Sequence, residues 1–511
     1  MNKNKCICIA ALSGLISALS FNINCLWFAI FFSISPVFYV ILKYKCHTKL
    51  ILFNFTFIFY CISDIWIVSI GVNYFENKYL GIIISVILLL IISILLSIIF
   101  ILPFTIYKNT NYIFTDILIL SFLYIFGEWL QGQFVPFAFP WNRLCNIVVK
   151  DIKFIQTASI LGGLFITFLI LLINFMIACF FIYKKKKKSY IFLIFALNIY
   201  LLNAIAGEII IQGTQNNSEA ENVLLVQGNF SKKEKWNTAP EDILDKYLKL
   251  TDKNLDNNTK LVIYPETALS RGIFENNLLK QKLFEFCNEK NITILFGAQY
   301  NKGEYQYNAC AAAYPNKQYS KIYFKQILVP FGEYNPFFTE SNIQFISNPF
   351  TKGDESILIE TEIGKLGCGI CFESIFPDHI SKNSALGAEA IVILTNDSWL
   401  GRKIPLYQHH SHSILRAVEN KKYVINCTNT GVSSVISANG EVIEKTNINC
   451  SDTVSADIYT NSNITFYTKY GDIIIIPACF IVLWLCLKTI YIKIAEIILF
   501  VKLKKSLKLY K

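Results

Sequence analysis

Three residue types that can cooperate in nucleophilic chemistry stand where apolar runs end in a turn. Glu266 follows Leu261-Val262-Ile263-Tyr264 and Pro265, Lys325 opens Lys325-Gln326-Ile327-Leu328-Val329-Pro330-Phe331-Gly332-Glu333, and Cys371 closes Gly367-Cys368-Gly369-Ile370-Cys371. A free thiol has a pKa of about 8.5, so near neutral pH it becomes a good nucleophile only beside a base or a positive charge. Glu266 can take the thiol proton. Lys325 can stabilise the oxyanion that develops on an attacked carbonyl in a water-excluding site. Cys371 would then carry an acyl group as a thioester. Read singly, each residue has a plainer role: core packing for Cys371, a helix N-terminus for Glu266, and a solvated charge for Lys325.

Cys368 and Cys371 also form a C-x-x-C pair, the spacing of a redox centre or of half a zinc site. No second Cys/His pair lies at matching spacing, and the pair closes a strand instead of opening a helix, so no metal and no cofactor are expected. A disulfide between the two would silence the nucleophile. The chain has 15 cysteines. Many lie in apolar runs, where Cys behaves as a small hydrophobe. Those of the more polar part (Cys287, Cys310, Cys368, Cys371, Cys427 and Cys450) are too irregularly spaced for a disulfide framework.

The elements that must position these groups are readable between residues 212 and 471, where charges recur regularly. Val223–Gln227, Lys260–Tyr264, Ile292–Phe296, Gly367–Cys371, Ala390–Thr395 and Tyr423–Asn426 read as strands, several apolar enough to be buried on both faces. Glu241–Asp252, Asn277–Glu289 and His409–Lys421 have helical character. The alternation predicts a layered α/β domain, in which strand ends bring side chains together at a crevice.

The remainder is of another kind. The chain of 511 residues is 54% hydrophobic and 16% charged, unlike a soluble globular protein. A helix needs about 20 mostly apolar residues to cross a bilayer. Leu50–Val72, Leu80–Tyr107, Ile113–Leu130, Ala158–Tyr183, Ser189–Ile211 and Ile473–Ile492 qualify, and Cys6–Leu42 reads as a hairpin of two spans split at Asn22-Ile23-Asn24. Eight spans result. With the chain start in the cytoplasm, the inside segments hold Lys3, Lys5, Lys43, Lys45, Lys49, Lys108, Lys184 to Lys188 and the tail from Lys493 to Lys511, while the outside loops hold only Lys78, Arg143, Lys150 and Lys153. That asymmetry sets the orientation and puts residues 212–471 outside. The net charge of +11 follows from lysines anchoring spans at anionic lipid, so no nucleic-acid partner is implied. The expected organisation is a membrane domain of seven helices at 1–211, a catalytic domain at 212–471, and a last span with a basic tail at 472–511.

The strings Tyr264-Pro265-Glu266-Thr267, Lys325 through Gly332-Glu333, Ile370-Cys371-Phe372-Glu373 and Thr395-Asn396-Asp397-Ser398-Trp399 together resemble the nitrilase superfamily, specifically its apolipoprotein N-acyltransferase family. Gln408-His409 through Arg416-Ala417-Val418-Glu419-Asn420 to Asn429-Thr430-Gly431 fits too, and the seven-plus-one span plan extends the resemblance over nearly the whole chain. It implies an α-β-β-α sandwich outside the cytoplasm, with Glu266 as base, Lys325 as oxyanion-stabilising cation and Cys371 as nucleophile. Glu333 and Glu373 correspond to acidic residues that support the site. Trp141, in Phe139-Pro140-Trp141, and Trp399 correspond to aromatics near the lipid and acyl path; an aromatic belt at headgroup level or simple burial would also account for them. Two departures, Cys368 for an apolar residue and Leu400 for an aromatic, bear on acyl preference.

The expected activity is acyl transfer from a phospholipid, through Cys371, to the amino terminus of a diacylglyceryl-cysteine apolipoprotein, at the periplasmic face of a bacterial inner membrane. A membrane-anchored amidase would pass the acyl group to water instead. A transporter would need more ionisable residues inside its spans than Asp64, Asp116, Glu128, Glu208 and Lys488.

Overall fold

The computed structural model describes all residues except 46, 75–76, 111, 135–136, 215–217, 270, 337–347, 402 and 510–511, together with all but the side chains of 73–74, 232, 236 and 503–509. Lys511 of the predicted tail lies outside the described residues. Seven described helices are long and apolar enough to cross a membrane: Lys3–Asn22, Asn24–Tyr44, Lys78–Thr105, Ile113–Leu130, Gly163–Tyr183, Ile191–Gly213 and Ile475–Lys502. The N-terminal hairpin turns at Ile23, as expected from Asn22-Ile23-Asn24.

Two expected spans are broken. Leu50–Val72 consists of the helices Thr48–Ser63 and Ile67–Tyr74, interrupted at Asp64-Ile65-Trp66. Asp64 is buried there and accepts a 2.7 Å hydrogen bond from Asn142 Nδ2. The expected Ala158–Tyr183 span begins as a short turn that stops at Gly162 (φ 79°), where the long helix Gly163–Tyr183 starts. Glu128 accepts from the Leu144 N–H and from Thr167 Oγ1, each at 3.0 Å. Both buried carboxyl groups therefore fasten the segment carrying Trp141 to the helices, which is a structural use of ionisable side chains among apolar helices.

The polar part is two six-stranded sheets laid face to face. Its strands are β1 (Ala220–Gln227), β2 (Thr259–Ile263), β3 (Thr293–Lys302), β4 (Tyr305–Ala313), β5 (Tyr323–Phe324), β6 (Leu358–Thr361), β7 (Gly364–Ile370), β8 (Ala390–Thr395), β9 (Val424–Thr428), β10 (Ser434–Ile436), β11 (Val442–Lys445) and β12 (Asp452–Tyr459). One sheet runs β12-β1-β2-β3-β4-β5 and the other β11-β10-β9-β8-β7-β6. Within each, the central three strands are parallel, β1-β2-β3 and β7-β8-β9. These six are the strands expected from apolar runs, since both of their faces are buried. Val223, Leu261, Ile263 and Cys310 from one sheet meet Leu366, Cys368, Val392 and Ile425 from the other in the layer between them.

The helices Pro240–Asn254 and Asn277–Lys290 cover the outer face of the first sheet. Pro377–Ala385 and Lys403–Asn420 cover the second, completing the α-β-β-α sandwich. The last of these helices is buried on both sides from Gln408 to Asn420. Its apolar residues Leu415, Ala417 and Val418 join the same core as Leu164 and Ile170 of the membrane helices. Gln408 Nε2 donates to Asn22 Oδ1 at 2.8 Å, and Lys421 Nζ donates to Gln156 Oε1 at 2.6 Å. This helix and the residue after it thus form a major joint between the sandwich and the apolar bundle, alongside contacts from Phe372, Trp399 and Asn439.

Candidate active site

The parallel strands β2, β7 and β8 end at one edge of the sandwich, and the two-residue strand β5, antiparallel to β4, ends there too, so the residues that follow these four converge. After β2, Pro265 and Glu266 fold tightly over β3. A Cβ on Gly297 would stand 2.6 Å from Glu266 Cα and from Pro265 O, so only glycine lets the turn lie this close. Glu266 Oε1 accepts from Lys325 Nζ at 3.2 Å and from Asn308 Nδ2 at 2.7 Å. Lys325 Nζ also donates to Glu333 Oε1 at 2.8 Å. The lysine side chain is 1% exposed, those of the two carboxylates 8% and 12%. Burial alone would drive the ammonium to lose its proton. Glu266, Glu333 and Cys371 more than offset this, and its pKa is held above the ordinary lysine value.

Cys371 begins the turn that ends β7 and adopts φ 52°, a left-handed conformation rare for a residue with a side chain. Its thiol is buried, and burial raises its pKa well above the ordinary value; Glu266 adds to the rise and Lys325 counters it. The resting group is therefore a thiol whose ionisation needs a proton acceptor; Glu266 and Lys325 are the charges that act on it most strongly, and Asp397 and His409 also lie close by. The structure brings Glu266, Lys325, Glu333 and Cys371 together as the sequence reading expected.

Glu373 sits on the far side of the turn. Its Oε1 accepts from the main-chain N–H groups of Gln326 (2.5 Å) and Ile327 (3.0 Å), and Oε2 from Ile370 N–H (2.7 Å) and Tyr323 Oη (2.8 Å). Burial works against this charge, but His379 and the Ile370 N–H outweigh it and keep the carboxyl below its usual pKa. Glu373 therefore stitches the segment after Lys325 to the nucleophile turn.

Trp141 is 2% exposed, its ring packed inside the protein. Its Nε1 donates to Gln408 Oε1 at 3.0 Å, and its ring lies 5.4 Å from Trp66 and stacks at 5.7 Å on Phe139, which in turn faces Phe372 at 6.4 Å. Trp399 lies 6.2 Å from Trp66. An aromatic path thus runs from the membrane part to the residue after Cys371.

Sequence reading did not single out Asn308, Trp66 or the pair Asp397 and His409 as site residues. Asn308 joins Glu266 to Glu333, its Nδ2 donating to Glu333 Oε1 at 3.0 Å. Its signal was one amide in the otherwise apolar stretch Asn308–Ala313 of β4. Cys368 does not face Cys371; its Sγ lies 3.7 Å from Cys310 Sγ in the layer between the sheets. Among the described residues, Cys371, Asp397 and His409 form the only His/Cys/Asp/Glu group close enough to hold a metal ion. Its imidazole nitrogens are already committed to Asp397, Ser374 and the Cys371 carbonyl.

Residues 222–463 match the carbon-nitrogen hydrolase family, and residues 13–176 match the apolipoprotein N-acyltransferase N-terminal domain. The apolipoprotein N-acyltransferase of Haemophilus ducreyi is 28% identical over 382 residues, covering 71% of this chain and 74% of that one. That of Rickettsia bellii is 26% identical over 496 residues, covering 94% and 96%. Among solved structures, Saccharomyces cerevisiae Nit3, of the nitrilase superfamily, aligns with TM-score 0.39 at 20% identity, covering 48% of this chain and 92% of that one.

Proposed function

This chain belongs to the apolipoprotein N-acyltransferase family, acyltransferases built on a carbon-nitrogen hydrolase domain, and on that premise we propose that it works through an acyl thioester on Cys371. Glu266 takes the Cys371 proton as sulfur attacks the ester carbonyl of a phospholipid. Lys325 stabilises the oxyanion, and the proton passes from Glu266 to the departing lysophospholipid oxygen. The free amine of a diacylglyceryl-cysteine then attacks the thioester. Glu266 takes the amine proton, and Cys371 leaves as the thiol. Glu333 and Glu373 support the site, while Trp141 and Trp399 border the acyl path.

What carries this reading is the fixed position of Lys325 between two buried carboxylates, with Cys371 beside them. A cation held in this way needs no rearrangement as charge develops, which is what oxyanion stabilisation requires. A phospholipid donor is supported by the aromatic path between the membrane helices and the Cys371 turn. The lysine distribution supports a bacterial inner-membrane protein with residues 212–471 on the periplasmic side, between a membrane domain at 1–211 and a final span and tail at 472–511.

The test is incubation of the purified full-length protein with phospholipid labelled in its acyl chains. A hydroxylamine-sensitive label is expected on the chain and is expected to vanish in Cys371→Ala. Label that persists in that variant refutes the thioester. Adding a diacylated lipopeptide should move the label to its amino terminus; release of free fatty acid alone would identify an amidase.

A further inference from the structure

Beneath the nucleophile turn lies a polar cluster that this reaction scheme leaves unused. His409, on the helix Lys403–Asn420, directs Nδ1 at Asp397 Oδ1 (3.0 Å) and Nε2 at both Ser374 Oγ (3.0 Å) and the main-chain oxygen of Cys371 (3.3 Å). The side chains of His409 and Asp397 are 6% and 3% exposed. Ser374 Oγ donates its own proton to the Cys371 oxygen at 2.8 Å, so toward His409 it is left to accept.

Protonation follows from counting donors and acceptors. A ring protonated at Nδ1 alone would turn the Nε2 lone pair toward the Cys371 carbonyl oxygen, acceptor against acceptor. One protonated at Nε2 alone would turn the Nδ1 lone pair toward the Asp397 carboxylate. A doubly protonated ring satisfies all three contacts.

We propose that His409 is a buried imidazolium, paired with Asp397, that positions Cys371 by gripping its main-chain carbonyl. This role rests on Cys371 being the nucleophile. The turn needs such a grip, because a residue with a side chain held at positive φ is strained and persists only where its surroundings impose it. The groups facing the ring are Asp397 after β8, Cys371 after β7, Glu266 after β2, His410 and His412 on its own helix, and the Trp141 ring at 5.3 Å. Burial disfavours the charge, yet Asp397 outweighs it and the imidazole is held above the ordinary histidine pKa. A Cβ on Gly431 would stand 2.5 Å from Asp397 Oδ2, so a glycine there leaves room for the carboxylate that holds the ring.

The experiment uses full-length protein in detergent with 15N-labelled histidine. The chain has 5 histidines, and His409→Gln assigns the signals of interest by their loss. Imidazolium shifts at both His409 nitrogens are expected at pH 7.5; a neutral tautomer there overturns the proposal, whatever Cys371 does. The second readout is the rate of Cys371 acylation by labelled phospholipid. His409→Gln keeps an amide that can donate to the Cys371 carbonyl and should stay within about tenfold of the unsubstituted protein. His409→Phe should lose about a hundredfold in kcat with KM unchanged, as expected for a reacting atom displaced by roughly 1 Å. Equal rates for the two variants, or a change in KM alone, would refute the positioning role. Should His409→Phe not fold, the resonance measurement on the unsubstituted protein decides. Failure of the Cys371→Ala labelling test would remove the nucleophile and leave the protonation result standing, so the two readings fail separately.

Discussion

Glu266 Oε2 accepts a 2.8 Å hydrogen bond from the main-chain N–H of Asn396, the residue that follows β8 in the opposite sheet. Its other oxygen is held by Lys325 and Asn308 of the first sheet. The proposed base is thus itself a joint between the two sheets, and its carboxylate has fixed orientation before any substrate arrives. Glu266→Gln keeps the shape but removes the proton acceptor. Cys371 acylation should fall by about 10²–10⁴-fold, the usual contribution of general base catalysis, with the thermal midpoint moving less than for Glu266→Ala. Acylation at the unsubstituted rate would take Glu266 out of the mechanism.

Lys325→Met would leave Glu266 and Glu333 facing each other in a buried site without their shared cation. Acylation should drop by about 10²–10³-fold. Stability should fall as well, by about 3–5 kcal/mol, because removing one partner strands the other charges. Thermal unfolding alongside the acylation assay checks both. Lys325→Arg should not rescue, since a planar guanidinium cannot place one nitrogen between both carboxylates as the ammonium does.

Substituting Glu373 should act through the fold. Glu373→Ala removes the acceptor for three main-chain N–H groups and one hydroxyl, at about 1–3 kcal/mol for each group left buried and unmet. The expected outcome is a large fall in thermal midpoint together with loss of acylation. An inactive Glu373→Ala protein with an unchanged midpoint would instead assign the carboxylate to the chemistry.

Cys368 and Cys371 should behave as unrelated residues. Cys368→Ala is expected to keep the acyl label, because its sulfur points at Cys310 between the sheets and away from the nucleophile. Loss of label in this variant, with the fold intact by thermal unfolding, would show that the two cysteines are functionally linked.

Acid should destabilise the sandwich through His410. Burial lowers its pKa to about 3, and its Nε2 lies 2.7 Å from Ser434 Oγ. Between the ordinary value of about 6.5 and 3, the unfolded chain binds a proton that the folded chain refuses. Stability contributed by the neutral ring is therefore complete above about pH 6.5 and is lost as pH falls toward 3. The midpoint should drop between pH 7 and pH 4, and His410→Gln should flatten that slope. An unaltered slope in the variant would show that other groups govern it.

The parallel strands and the residues at their ends were legible because a strand buried on both faces is written as an unbroken apolar run ending in a turn. Glu266 and Cys371 stand out against such runs, whereas Lys325 follows the two-residue antiparallel edge strand β5. The antiparallel strands were not, since β10 and β11 are short and β4 is rich in alanine, which carries little strand signal. Asn308 went unread with it. The break at Asp64 was hidden because apolar composition continues across it, and the partner that makes it tolerable, Asn142, lies 78 positions away. His409 was part of a recognised string, but its office depends on Ser374, Asp397 and the carbonyl of Cys371, which only the folded chain assembles.

The helix Lys403–Asn420 leaves no free side to the second sheet. Its Arg416 donates to the main-chain oxygen of Ser374 in the Cys371 turn, while Gln408 reaches Trp141 and Asn22 in the membrane bundle. A soluble excision of the sandwich would keep this helix but bare its other face, freeing Gln408 from Trp141 and Asn22 behind the nucleophile turn. By the same connection, a harsh detergent that loosens the bundle should inactivate the protein at Cys371 before the sandwich unfolds, making acylation competence a sensor of how the surrounding lipid holds the helices together.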